Sequence, residues 1–161
     1  MEEVVLLIGG NLGDREGLIN QALEKLEHYF PIHKKSSIYE TEAWGGSSSG
    51  NYLNMALSVM TGRSPEEVLN IAQQVESELG RTREVKWGDR TMDIDIIYFG
   101  SRIIQSKRLK IPHPLMAERK FVLLPLVEIL PDFVHPKLKM SNRELLVQCP
   151  DNSSVMPYFS S

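Results

Sequence analysis

The sequence predicts one α+β domain over residues 1–161: an αβ sandwich on a mainly antiparallel sheet, with additions at the C-terminal end. Three observations predict it. Apolar runs of strand length and helical periods follow one another as strand, helix, two strands, helix, strand. Glycine and proline mark the changes of period, and no linker is long enough to divide the chain. The chain has 161 residues, 42% hydrophobic and 24% charged, which suits a single stable core. That order of elements is the ferredoxin-like pattern.

Each element has its own signal. Residues 3–9 form an apolar strand that runs into the turn Gly9-Gly10-Asn11-Leu12-Gly13. Asp14 is an N-cap for a helix reaching about Tyr29, with Leu18, Ala22, Leu26 and Tyr29 on one face and Pro31 beyond its end. Residues 32–41 read as a second strand, residues 42–50 as a glycine-serine loop, and Tyr52–Thr61 as a third strand. Ser64-Pro65-Glu66-Glu67 is a capping box with proline in the first turn. Val68, Ala72, Val75 and Leu79 form the buried stripe that follows, and Gly80 ends it. Residues 81–89 are a charged loop, 92–99 a strand, and 102–105 a short strand after the Gly100-Ser101 turn. A helix is expected around 121–129, and a last one from Ser141 with Glu144 at its capping-box position.

Composition excludes several classes. One cysteine, Cys149, cannot form an internal disulfide, so a reducing, cytoplasmic setting is expected. The apolar run 4–8 is too short for a signal segment, and no stretch approaches the roughly 20 apolar residues of a membrane span. A net charge of −3 argues against nucleic acid as partner. A monomer acting on small molecules is expected. The middle of this acidic chain is nevertheless basic: Arg81, Arg83, Lys86 and Arg90 precede Asp93 and Asp95, and Arg102, Lys107, Arg108, Lys110, Arg119 and Lys120 follow. Such a run is either solvated surface or the bed of a polyanionic ligand.

The stretch 87–97 is the most informative. Side chains alternate along a strand, so Asp93 and Asp95 share one face about 7 Å apart, with Ile94 and Ile96 on the other. The pair is either solvated on an open sheet face or holds a hard cation, for which carboxylate oxygens suit Mg²⁺. Two such ions, about 3.5–4 Å apart, form a phosphoryl-transfer clamp. Arg90, Arg81 and Arg83 add planar forks that match phosphate. His113 stands between Pro112 and Pro114, which restrain its backbone; His28, His33 and His135 lack such a setting and read as surface or core. Asn54 offers a donor and an acceptor to the edge of a flat heterocycle, and Phe121 or Tyr52 could stack on its face. Taken singly, Asn54, Tyr52 and Phe121 each read more readily as core or turn residues.

Together the motifs resemble the 6-hydroxymethyl-7,8-dihydropterin pyrophosphokinase family. Gly9-Gly10-Asn11-Leu12, Tyr39 with Thr41, Asn51-Tyr52-Leu53-Asn54, Gly80-Arg81, the stretch 87–97, and Pro112-His113 with Arg119 and Phe121 occur in the family's order over roughly residues 4–135. The resemblance implies transfer of pyrophosphate from ATP to the pterin hydroxymethyl group, with AMP leaving. It implies that Asp93 and Asp95 hold two Mg²⁺ ions, that Arg81 and Arg90 share in catalysis, and that Arg119 and His113 meet ATP phosphates. Gln73, Glu76, Arg83, Trp87, Arg108 and Ile111 would complete the nucleotide site. Thr41, Tyr52, Asn54 and Phe121 would surround the pterin, with backbone near Ala43 and Trp44. Glu42 and Asp89 stand where family members often have proline, Pro114 where some have tyrosine, and Gly10 where serine is common. A two-metal hydrolase and a non-catalytic ligand-binding module are the alternatives, separable by whether AMP appears only with pterin.

Overall fold

The computed structural model describes residues 1–42, 51–80 and 92–159. Its elements are β1 (Glu2–Gly10), α1 (Arg15–Glu27), β2 (Ile32–Lys35), β3 (Tyr39–Thr41), β4 (Tyr52–Thr61), α2 (Pro65–Glu78), β5 (Asp93–Phe99), β6 (Ile104–Gln105), β7 (Lys110–Ile111), a 3-10 turn (Met116–Glu118), α3 (Lys120–Ile129), α4 (Asn142–Gln148) and β8 (Val155–Pro157). The main sheet runs β5-β1-β4-β3-β8, with β2 also paired to β4, and every pairing is antiparallel.

β1 is buried on both faces, which is why it reads as an unbroken apolar run. Val4, Leu6 and Ile8 pack with Ile19, Ala22 and Leu26 of α1 and with Val68, Ala72 and Val75 of α2. Val5 and Leu7 pack with Val122, Leu123 and Leu126 of α3 and Leu145 of α4. Ile97 bulges out of register between Ile96 and Tyr98, so Ile97 and Tyr98 both meet the α3 side. Below that bulge the alternation is regular, and Asp93 and Asp95 lie opposite Gly9 and Leu7.

Local signals hold well. Asp14 accepts from the Gly17 amide at 3.2 Å, and both capping boxes close, Ser64 with Glu67 and Ser141 with Glu144. Gly80 takes φ +88°, a value that favours glycine, after the α2 C-cap. The stripe of α1 differs by one position: Ile19 is fully buried, whereas Leu18 and Tyr29 are partly so.

The second strand is broken. Ser36 Oγ takes the place of a backbone carbonyl, accepting the Ala56 amide at 3.0 Å, and the Ser37 amide turns to Glu128 at 2.9 Å instead of the ladder. The short strand expected at 102–105 keeps only Ile104–Gln105, which pairs with β7 in a separate ribbon, because Arg102 is drawn back to Glu2. β8 carries no strand signal of its own, being three residues that end in proline; it forms by adding to β3.

Candidate active site

The sheet register assembles a polar row. Asp93 on β5 lies opposite Gly9 on β1, Gly9 opposite Asn54 on β4, and Asn54 opposite Tyr39 on β3. Opposed residues project to the same side, so this row stands on the face that α3 covers. Asp95, Leu7 and Ala56 form the next row inward, and Tyr52 opposite Thr41 forms the next outward. Thr41, Tyr52, Asn54, Asp93 and Asp95, predicted from five separate positions, therefore share one face.

Gly9 is what lets Asn54 lie across the row. A β-carbon at Gly9 would sit 2.1 Å from the Leu53 carbonyl oxygen and 2.4 Å from Asn54 Oδ1. Asn54 is only 7% exposed, and Thr41 3%. The Thr41 hydroxyl is buried and has no hydrogen-bond partner among the described residues, an arrangement that costs free energy unless a ligand supplies one.

The segment after β7 brings the second half of the site to the outer edge of β5. The His113 amide donates to the Ile97 carbonyl at 3.0 Å, and the Leu115 amide donates to His113 Nδ1 at 3.2 Å. An accepting Nδ1 places the ring proton on Nε2. Burial, then the positive charge of Arg119, lower the His113 pKa, and Asp93 only partly offsets them. His113 is thus a neutral donor standing within the electrostatic reach of both Asp93 and Arg119. The Arg119 guanidinium lies over the Phe121 ring at 5.7 Å, joining the arginine to the start of α3.

The expected nucleotide residues are placed on the α2 side of the same edge. Gln73 is half-buried on α2, and Ile111 is buried in the α1/α2 core. Glu76 is 3% exposed, and its carboxylate accepts the Ile94 amide at 2.7 Å. It thereby covers the outer edge of β5 between the two aspartates. The Arg108 fork is divided between Glu66 and Asn70, at 2.8 Å each, at the start of α2. Arg81, Arg83, Trp87, Arg90, Ala43 and Trp44 lie outside the described residues. Sequence reasoning did not give a role to Tyr39, whose hydroxyl donates to Glu128 at 2.7 Å. Burial, then Glu128, push its pKa up to about 12. Its signal was membership of the Tyr39–Thr41 motif; its partner lies 89 residues away and left no local mark.

Among the described residues no group of three or more metal-binding side chains occurs. A pair of carboxylates on an otherwise amide- and hydroxyl-lined face fits Mg²⁺, which takes one or two carboxylates and fills its shell from phosphate and water, better than a closed zinc site.

Fold and site define a mixed helix and antiparallel-sheet protein with an acid–amide face at one sheet end. The chain belongs to the family described as 7,8-dihydro-6-hydroxymethylpterin-pyrophosphokinase, whose pattern matches residues 5–131. An Aquifex aeolicus protein named 2-amino-4-hydroxy-6-hydroxymethyldihydropteridine pyrophosphokinase is 44% identical over 136 residues, covering 84% of this chain and 85% of that one. A Bacillus subtilis protein of the same name is 47% identical over 126 residues, covering 77% and 75%. A crystal structure of Plasmodium falciparum HPPK-DHPS has the same fold with a TM-score of 0.73 at 17% identity, over 92% of this chain and 43% of that longer one.

Proposed function

We propose that this protein transfers the pyrophosphoryl group of ATP to 6-hydroxymethyl-7,8-dihydropterin, releasing AMP, in folate biosynthesis. The relatives' names support the reaction, and one observation supports this face as its seat. The register sets Asp93, Gly9 and Asn54 in line, so an acid pair and an amide address one space.

In this reading Asn54 and the Thr41 hydroxyl hold the polar edge of the pterin, and Tyr52 and Phe121 flank its ring. Asp93 and Asp95 hold two Mg²⁺ ions, which when bound neutralise phosphate charge. His113 donates from Nε2 and Arg119 from its fork to the ATP phosphates, and Phe121 fixes the plane of that fork. Gln73, Arg108 and Ile111 lie toward the nucleoside, while Glu76 acts through the β5 backbone it holds. Arg81, Arg83, Trp87 and Arg90 would close over ATP, and backbone near Ala43 and Trp44 over the pterin. The pterin hydroxymethyl oxygen then attacks the β-phosphorus in line. Positioning and charge neutralisation supply most of the rate, as in other phosphoryl transfers.

The strand order, with the broken second strand counted as one, supports a ferredoxin-like core. No helix among the described residues is long and apolar enough to cross a membrane. We read the enzyme as a cytoplasmic monomer. The test of function is incubation with ATP and Mg²⁺, with and without the reduced pterin, followed by quantitation of AMP. Pterin-dependent AMP is expected; AMP or phosphate release indifferent to pterin would point to a hydrolase instead.

A further inference from the structure

α3 is tied to β3 at both ends by acidic side chains that the proposed chemistry does not use. Near its C-terminal end, Glu128 reaches across to the broken strand. One oxygen accepts the Tyr39 hydroxyl at 2.7 Å, and the other accepts the Ser37 amide at 2.9 Å and its hydroxyl at 3.2 Å. At its N-terminal end, Arg119 occupies the cap position but its side chain does not cap the helix. The cap comes from the C-terminal segment instead: Asp151 Oδ2 accepts the Lys120 amide at 2.9 Å, and Oδ1 accepts the Ser153 amide at 2.8 Å. That segment is itself fastened to β3. The Glu42 amide donates to the Ser154 carbonyl at 3.2 Å, and β8 pairs Val155 with Thr41. Burial opposes ionisation of Asp151, but the Ser153 and Lys120 bonds prevail and hold its carboxyl below the usual range. The Ser153 hydroxyl has no hydrogen-bond partner among the described residues, so the two backbone amides carry the contact.

What the ties join gives them meaning. β3 carries Thr41, whose buried hydroxyl has no partner among the described residues, and the first turn of α3 carries Phe121, with Arg119 over its ring. These are the two walls of the proposed pterin pocket, on which this inference rests. Glu128 fixes one end of the gap, and Asp151, through the tail, fixes the other. We infer that Glu128 and Asp151 are positioning residues that set the spacing between Phe121 and Thr41, and with it affinity for the flat heterocycle. Neither touches substrate. Gln73, Glu76, Arg108 and His113 are held by α2 and β5, away from both ties, whereas Arg119, at the cap of α3, shares the Asp151 tie; Glu128 is therefore the tie that separates the two ligands.

The experiment measures two affinities on each folded variant. Binding of 6-hydroxymethyl-7,8-dihydropterin is titrated with an unreactive ATP analogue and Mg²⁺ present, and binding of the analogue is titrated alone. Glu128→Ala and Asp151→Ala are each expected to weaken pterin binding about five- to tenfold, the net scale of one hydrogen bond; Glu128→Ala leaves analogue binding within about twofold, and Asp151→Ala, beside Arg119, weakens it less than it weakens pterin binding. In turnover the loss appears in KM for the pterin, with kcat at saturation little changed. Asp151→Asn and Glu128→Gln, which keep an acceptor oxygen, recover part of the affinity. A purely structural role would lower the melting temperature without separating the two affinities. The inference is overturned if both alanine variants, shown to melt cooperatively, bind the pterin as the wild type does. It is equally overturned if pterin and analogue affinities fall together in Glu128→Ala. If the wild type itself binds no pterin, the proposed function fails, and that result is separate from either of these.

Discussion

The two faces of the sheet begin alike and end differently. On the α1/α2 side, β1 contributes Val4, Leu6 and Ile8, all at 0% exposure, and the dry core continues to the strand's end. On the α3/α4 side it contributes Val5, Leu7 and then Gly9, where the apolar packing gives way to Asn54 and Asp93. One face spends its whole length on stability, whereas the other stops a row early and leaves its last rows polar. The transition is abrupt because a strand changes its surroundings only every second residue, about 7 Å along. A side chain at position 9 would have filled the space that Asn54 uses.

The largest effect that tests this division is on chemistry. Asp93→Ala or Asp95→Ala should lower kcat/KM by about a thousandfold or more, the scale of losing preorganised charge at a phosphoryl-transfer centre. Each should cost less than about 1 kcal/mol of folding stability, as half-buried polar positions do. Steady-state AMP formation and denaturant melts on the same preparations check both halves. A variant that kept near-normal Mg²⁺-dependent turnover would remove the aspartates from the site.

The converse belongs to the other face. Leu6→Ala leaves a cavity in a packed core and should cost roughly 2–5 kcal/mol. Urea midpoints would show it, and at temperatures where the variant remains folded its KM for pterin should stay close to the wild type's. A selective loss of pterin affinity there would mean that the two faces are not separable.

The boundary itself gives a smaller effect of opposite sign. Thr41 buries a hydroxyl with no partner among the described residues, and valine has nearly the same shape. Thr41→Val should therefore leave stability unchanged or raise it by about 1 kcal/mol, while weakening pterin binding. Loss of stability in calorimetry would show that the hydroxyl is satisfied in the folded protein and does not await a ligand.

The same contrast decides what could be read before the structure. Contributions made within one element were legible: the Ser64 and Ser141 caps reach only three residues, and the period of two alone places Asp93 beside Asp95. The break at Ser36–Ile38 was not, because it depends on Glu128 taking the Ser37 amide from 91 residues away. Nor was β8, whose three residues have no reason to extend except β3 beside them. In the site, residue types were legible one by one. The row that joins Asp93 to Asn54 needed the register of three strands, and the role of Gly9 needed the position of a neighbour's side chain. For Arg119 the basic pattern announced a phosphate ligand, but its stacking on Phe121, which ties the two halves of the site, followed only from the fold.

The smallest expected effect concerns a histidine on the dry part of the α3/α4 face. His135 is 4% exposed, and its Nδ1 accepts the Lys137 amide at 3.1 Å and the Leu138 amide at 3.0 Å. Protonation would remove that acceptor. Burial, then the Lys137 charge, hold its pKa below the ordinary value. The unfolded chain therefore takes up a proton that the folded one refuses as the pH falls below about 6.5. The stabilising contribution is complete above that pH and is lost as the pH drops toward the folded-state value. His113 is shifted in the same direction, so both histidines contribute to one acid limb. Asparagine at position 135 can present Oδ1 where Nδ1 now stands, and it does not titrate. His135→Asn should thus reduce the fall in melting temperature between about pH 7.5 and about pH 5.5 without removing it. Melting curves across that range measure it. If His135→Asn melts in parallel with the wild type at every pH, the imidazole is not a neutral acceptor in the fold, and the dry part of this face does not respond to charge.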